Sequence, residues 1–149
     1  TRRQKESDMA AETETVHASA VVMGGRGLLV TGPSGSGKSA LCLSLMGRGA
    51  VLVADDRVRL WRDGDRLMAD APASLVGLIE ARVVGILRAD AAGPSPIDLI
   101  VDLGLVEDQR LPPWRTREVL GLQRPLVFGP LTPHLDAALR QYMLAGRAG

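Results

Sequence analysis

Residues 32–39 read Gly-Pro-Ser-Gly-Ser-Gly-Lys-Ser, and no other feature of the chain restricts its fold so strongly. The run satisfies G-x-x-x-x-G-K-[ST] at every position, follows an apolar stretch and opens a segment with helical spacing. In that context its glycines let successive backbone N–H groups curl around phosphate, at a helix N-terminus whose dipole favours the same anion. Gly32, Pro33, Ser34, Gly35, Ser36, Gly37, Lys38 and Ser39 therefore form the expected nucleotide-binding set. Lys38 is placed to reach the β- and γ-phosphates, and the Ser39 hydroxyl to ligate Mg²⁺. The expected fold is α/β of the P-loop type, a mixed sheet with hairpins and flanking helices.

The rest of the chain is read around that loop. Residues 1–15 are polar, charged and without period, and read as a disordered lead before a single folded domain over 16–149. The first residue is Thr1, as expected of a fragment or a processed chain, with Met9 a candidate natural start. Residues 16–22 and 27–31 read as strands joined at Gly24-Gly25. With those two glycines as the hairpin loop, His17 falls opposite Gly32. A helix is expected over 39–48, with Leu41, Cys42 and Leu45 on its buried face and Gly49 at its end. The apolar run 50–54 reads as a buried strand that delivers Asp55 and Asp56. A second hairpin is expected around Asp63-Gly64, a helix over 73–80 opened by Pro72, and strands over 83–87 and 97–103. Residues 91–96 and Pro112-Pro113 read as loops, and Thr132-Pro133 as the start of a last helix reaching about residue 144.

Composition narrows the function classes. Aromatic residues make up 3% of the chain against 46% apolar residues, so the core is aliphatic. Eighteen basic against seventeen acidic residues leave a net charge of +1, which argues against nucleic acid as partner. Cys42 is the only cysteine, which excludes an intrachain disulfide and a cysteine metal cluster, and it reads as an inert core thiol. No apolar run reaches the ~18–20 residues of a spanning helix, and no secretory signal pattern is present. The expected setting is cytoplasmic, away from membranes.

Beyond the loop, Asp55-Asp56 carries chemistry. An acid at the end of a buried strand beside a phosphate loop is where such folds hold Mg²⁺ or a base, and two adjacent acids can divide those tasks. Only seventeen positions separate Lys38 from Asp55, so one helix and one strand join them. A guanine-reading Asn-Lys-x-Asp is absent. His17 alone reads as a strand histidine; its expected place beside Gly32 turns it into a site candidate. His134 is expected at the surface of the last helix and is assigned nothing.

These residues resemble the catalytic domain of HPr kinase/phosphorylase, which phosphorylates a serine of the phosphocarrier protein HPr. His17 stands twenty-one positions before Lys38, as that family's active-site histidine does. Arg48-Gly49-Ala50-Val51-Leu52-Val53-Ala54-Asp55-Asp56 resembles its R-G-x-x-L-V-A-D-D run. Glu80-Ala81-Arg82-Val83-Val84-Gly85-Ile86 resembles E-x-R-G-x-G-I, with Val83 where glycine is usual, and Gln109-Arg110-Leu111-Pro112 loosely resembles D-R-x-G. The resemblance implies a phosphoenolpyruvate-carboxykinase-like fold, ATP and Mg²⁺ as cofactors and HPr as the protein partner. It implies Lys38 on phosphate, Ser39 and Glu80 on Mg²⁺, and one acid of the pair, by spacing Asp56, as base for the serine. His17 would support that base, and Arg82 or Arg110 would stabilise the transferring phosphoryl group.

The family's P-V-R-P-G-R stretch, tied to the reverse phosphorolysis, falls near 125–132, where this chain reads PLVFGPLT without arginine. A kinase with weak or absent phosphorylase activity is therefore expected, regulating carbohydrate and phosphotransferase metabolism. The family's N-terminal domain has no counterpart in this sequence, as in the family's short forms, and a homo-oligomer is left open. A small-molecule kinase and a nucleotide-sensing module with little turnover remain as alternatives.

Overall fold

Period-two alternation in the central strands builds the domain. The structure, a computed structural model, describes residues 13–149. The strands are β1 (Glu14–Val16), β2 (Ser19–Met23), β3 (Arg26–Thr31), β4 (Val51–Ala54), β5 (Val58–Asp63), β6 (Arg66–Asp70), β7 (Leu78–Ala81), β8 (Gly85–Arg88), β9 (Ser95–Pro96), β10 (Leu99–Val106), β11 (Thr116–Val119) and β12 (Leu122–Gly129). Two α-helices are described, α1 (Lys38–Met46) and α2 (Leu135–Ala145), with a 3₁₀ turn at Ala73–Leu75. A mixed sheet runs β11-β12-β10-β3-β2-β4, parallel across β12, β10 and β3 and antiparallel elsewhere. A second sheet runs β1-β5-β6-β9, and β7 pairs with β8 alone.

Val21, Leu28, Val30, Leu99 and Val101 point to one face of the mixed sheet, where Leu41, Cys42 and Leu45 of α1 and Leu139 and Met143 of α2 cover them. The alternate residues Ala20, Leu29, Val53 and Ile100 point to the other face, against Val58, Leu60, Leu67 and Ala69 of the second sheet. Alternation thus sends each strand's side chains into two different cores. Both cores lack buried aromatic residues, so small and branched aliphatic side chains set the layer spacing. The expected α/β class and mixed sheet are observed. Both helices lie on one face, and a sheet occupies the other.

The chain turns two corners between the sheets. It leaves β1 for β2 at His17-Ala18 and leaves β4 for β5 at Asp55-Asp56-Arg57. Val16 pairs with Val58 on one side of this corner, and Ala20 with Ala54 on the other. Continuing that antiparallel register through the corner sets Ser19 opposite Asp55, where a 2.7 Å hydrogen bond joins them. The Gly24-Gly25 hairpin has the expected register, with Met23 opposite Arg26 and Ser19 opposite Val30.

Several expectations are corrected. The first twelve residues of the expected lead lie outside the described residues, but Glu14 and Thr15 at its end join Val16 in β1, paired with β5. No helix covers 73–80: after the 3₁₀ turn, Gly77 takes φ 68°, and Ile79 and Ala81 are buried around an exposed Glu80. That is strand periodicity, and a Cβ at Gly77 would stand 2.8 Å from the Ala89 carbonyl oxygen. The strand expected over 83–87 is displaced to Gly85–Arg88, because Arg82 to Val84 make the turn from β7. The second hairpin turns at Gly64-Asp65, one residue later than expected, with Asp63 opposite Arg66. The loop at 91–96 contains β9, and the strand expected over 97–103 runs from Leu99 to Val106. Thr132-Pro133 forms a turn, with Leu135 N–H donating to the Thr132 carbonyl, so α2 starts at Leu135. The β11–β12 hairpin was not expected at all; its sequence signal is Leu120-Gly121, both at positive φ.

Val83 sits at the tip of the β7–β8 hairpin, fully exposed and at φ 74°. The left-handed region costs an L-residue roughly 1–2 kcal/mol, and this side chain has no packing to offset it. Glycine there would give back about 0.5–1 kcal/mol through greater freedom in the unfolded chain. Val83→Gly should therefore raise stability by about 1 kcal/mol, read as a higher midpoint in urea at unchanged slope.

Candidate functional site

Between the Thr31 end of β3 and α1 the loop doubles back on itself. Gly37 carries φ 101° at the head of α1, and a Cβ there would stand 2.7 Å from Leu131 Cδ2. Lys38 is buried, and its Nζ donates to the carbonyl oxygens of Gly32 (2.8 Å) and Pro33 (3.1 Å). The ammonium is thus held inside the curl of the loop. Among the described residues, Ser36 Oγ alone is a buried side-chain oxygen or nitrogen with no hydrogen-bond partner. A loop with an enclosed cation and an orphaned hydroxyl is chemically suited to an oxyanion.

The two acids are separated by burial. Asp55 is 5% exposed, and its Oδ1 accepts from Ser19 Oγ and Ser39 Oγ, both at 2.7 Å. Its Oδ2 accepts from the Glu80 backbone N–H at 3.0 Å. Both oxygens of Asp55 are therefore engaged. Asp56 is exposed and carries φ 70°, and Arg57 N–H closes a three-residue turn onto the Asp55 carbonyl. A positive φ at the centre of such a turn is its rarer, strained form. The turn aims the Asp56 carboxylate outward, 3.5 Å from His17 Nε2. Adjacent in sequence, the two carboxylates face opposite ways: one into the fold, one into solvent.

A cleft of about 720 Å³ opens over these groups. It gathers His17, Ser34 to Ser39, Asp56, Glu80 and Arg82, drawn from four segments of the chain, with Leu131 from a fifth. Gly32 and Pro33 form the base of the loop, and Asp55 lies behind the lining. Arg110 is not brought there: it is exposed in the loop after β10, outside the cleft lining. That loop is held by an Arg115–Glu107 ion pair, by Arg115 over Phe128 at 4.1 Å and by Arg147 over Trp114 at 4.3 Å. His134 is exposed just before α2, away from the cleft. Cys42 is fully buried on α1, and burial, with the Asp55 charge second, pushes its thiol far up, as expected of an inert core residue.

Sequence reasoning missed Ser19 and Leu131. Ser19 is a fully buried hydroxyl in an apolar strand, and that polar interruption was its only signal. Leu131 follows β12 and packs against the loop at Gly37. No cluster of three or more histidine, cysteine, aspartate or glutamate side chains fit to hold a metal by themselves occurs among the described residues. Ser39 and Glu80 instead both line the cleft, with the Ser39 hydroxyl held by Asp55; sparse oxygen donors of this kind suit Mg²⁺ shared with phosphate oxygens and water.

Three comparisons bear on this site. The sequence model of the HPr Serine kinase C-terminal domain matches residues 8–108. HPr kinase/phosphorylase of Alkaliphilus metalliredigens is 34% identical over 147 residues, covering 89% of this chain and 47% of that protein. The Levilactobacillus brevis protein of the same name is 41% identical over 106 residues, covering 66% of this chain and 34% of that protein. This chain thus spans a third to a half of the curated relatives' length. The solved structure of the HPr(Ser) kinase/phosphatase from Coxiella burnetii superposes with a TM-score of 0.74 at 26% identity, over 88% of each chain. With a family match over most of the chain and a shared fold, this chain belongs to the HPr serine kinase C-terminal domain family.

Proposed function

We propose that this domain is a Mg-ATP-dependent serine kinase whose acceptor is the phosphocarrier protein HPr, acting in the cytoplasm to regulate carbohydrate and phosphotransferase metabolism. One observation carries the reading: an exposed carboxylate, Asp56, beside His17, opens on the same cleft as Lys38 and Ser39. A site that only sensed nucleotide would need no such base. No described helix is long and apolar enough to cross a membrane.

In this reading the backbone N–H groups of residues 34–39 cradle the β- and γ-phosphates, and Lys38 moves from the loop carbonyls onto them. Ser39, oriented by Asp55, and Glu80 would hold Mg²⁺, and the ion would supply positive charge to offset that of the phosphates. Asp56 accepts the serine proton as the serine oxygen bonds to the γ-phosphorus and the bridging oxygen departs with ADP. His17, 3.5 Å away, steadies the Asp56 carboxylate in its outward position. Arg82, at the cleft rim, meets the equatorial oxygens of the transferring group. Asp55 is unsuited to be the base, because both its oxygens are already committed to donors.

Phosphorolysis is proposed to be weak or absent. Residues 125–132, where the family carries the arginines tied to that reaction, hold none here, and apolar Leu131 covers Gly37 beside the phosphate cradle.

The test is incubation with γ-labelled ATP, Mg²⁺ and purified HPr; label is expected on a serine of HPr. Label on a metabolite alone, or ATP binding with no transfer, overturns the reading. Asp56→Asn should lower transfer by about 100-fold or more, the range of a lost general base, with Mg-ATP affinity and folding unchanged. Phosphorylated HPr supplied with inorganic phosphate should release pyrophosphate far more slowly than the forward reaction runs. Comparable rates would refute the missing reversal.

A further inference from the structure

Asp102 ends the apolar run of β10, directly beside Thr31 on the parallel strand β3 that feeds the loop. In phosphate-loop folds an acid at that topological position ordinarily faces the metal. Here both of its oxygens are engaged: Oδ1 accepts from Gly104 N–H at 2.8 Å, and Oδ2 from Arg117 Nη2 at 2.7 Å. The same guanidinium donates from Nη1 to Thr31 Oγ1 at 3.2 Å, and Thr31 Oγ1 donates to the Val101 carbonyl at 3.2 Å. Arg117 therefore bridges the two strands that converge under residue 32.

The reach of Arg117 is informative. β11 lies three strands from β3 in the sheet order. At about 4.8 Å per strand, a flat sheet would hold them about 14 Å apart, too far for one side chain. The β11–β12 hairpin must curl over the sheet, and a cleft of about 260 Å³ lined by Thr31, Arg117 and Leu120 lies beneath the curl. The pair is partly buried, with Arg117 31% and Asp102 17% exposed, so solvent screening is reduced. Its effect reaches the loop by contact. Gly104, held by Asp102, lies against Pro33, whose Cδ stands 2.8 Å from where a Gly104 Cβ would be.

We propose that Arg117 and Asp102 are a positioning pair, which sets the entry of the phosphate loop by clamping Thr31 above and Gly104 beneath Pro33. Arg117 lies beyond residues 8–108, while Thr31, Asp102 and Gly104 lie within them, so one half of the pair comes from a part of the chain that the family model does not cover. The inference rests on the phosphate-binding part of the proposed function and not on the identity of the acceptor. Lysine would be an incomplete substitute, because one ammonium cannot reproduce a planar fork that meets Asp102 and Thr31 together.

The experiment is calorimetric titration of the whole chain with Mg-ATP, paired with amide hydrogen exchange, on wild type, Arg117→Met, Arg117→Lys and Thr31→Val. Arg117→Met should weaken Mg-ATP binding about tenfold, as expected when a loop is displaced by a fraction of an ångström. Exchange should rise at Gly32 and Gly104 while Leu45 in α1 stays protected, a split that general destabilisation would not produce. Arg117→Lys should recover part of the affinity. Thr31→Val should move both readouts the same way by less, and a variant combining Arg117→Met with Thr31→Val should bind no worse than Arg117→Met, because both changes break the Arg117–Thr31 contact. Should Arg117→Met not fold, Thr31→Val and Arg117→Lys decide alone. Wild-type affinity in the folded variants, or exchange rising equally at Leu45, overturns the inference. Failure of the wild type to bind Mg-ATP removes this inference and the phosphate-binding reading together. Binding without transfer to HPr removes only the kinase reading and leaves the positioning pair standing.

Discussion

The Asp55 carboxylate is the interaction on which the rest of the site depends. It is buried, yet it accepts hydrogen bonds from β2 through Ser19, from α1 through Ser39 and from β7 through the Glu80 backbone. Hydrogen bonds to a charged group contribute about 1.5–3 kcal/mol each, and burying the charge costs several kcal/mol. The bonds offset that cost. What the carboxylate supplies is orientation: three elements from distant parts of the chain are set against one pair of oxygens, and the Ser39 hydroxyl, the Glu80 backbone and the loop acquire fixed relative places.

Asp56 depends on its neighbour. With Asp55 turned inward and the chain bending at once from the mixed sheet into the second sheet, the next residue must take a left-handed conformation to continue. That conformation costs an aspartate less than most residues, and it directs the side chain outward to His17. His17 arrives because β1 and β2 make the same corner in antiparallel register with β4 and β5. The strain and the geometry are one feature: a corner where two ladders pass from sheet to sheet.

The loop is braced on its two sides by different chemistry. On the helix side the buried charge of Asp55 holds Ser39. On the strand side Asp102 is neutralised by Arg117 and tied to the Gly104 backbone. Apolar packing by Leu131 covers the head of α1. The outer half of the β7–β8 hairpin, by contrast, stands in solvent. Every residue of β8 is exposed, and the strained Val83 stands at the tip next to Arg82. Rigid phosphate cradle and open rim are thus separate parts of one cleft.

How much of this was legible follows from the range of each signal. The loop at 32–39, the helix after it, the Gly24-Gly25 register and the acids at the end of β4 are local patterns, because backbone conformation and alternation over a few residues decide them. The misread stretch 73–80 looked helical because its apolar residues suit either period; only pairing with β8 and the close approach at Gly77 settle it. The β11–β12 hairpin left no more trace than Leu120-Gly121. By itself the sequence determined that a phosphate loop stands before two acids and that the core is aliphatic. Which acid is buried, that His17 meets Asp56, and that Arg117 reaches across to Thr31 and Asp102 were decided only by the tertiary structure. Those contacts join residues far apart in the chain, and burial and distance between such residues exist only once the two sheets have packed and turned their corners.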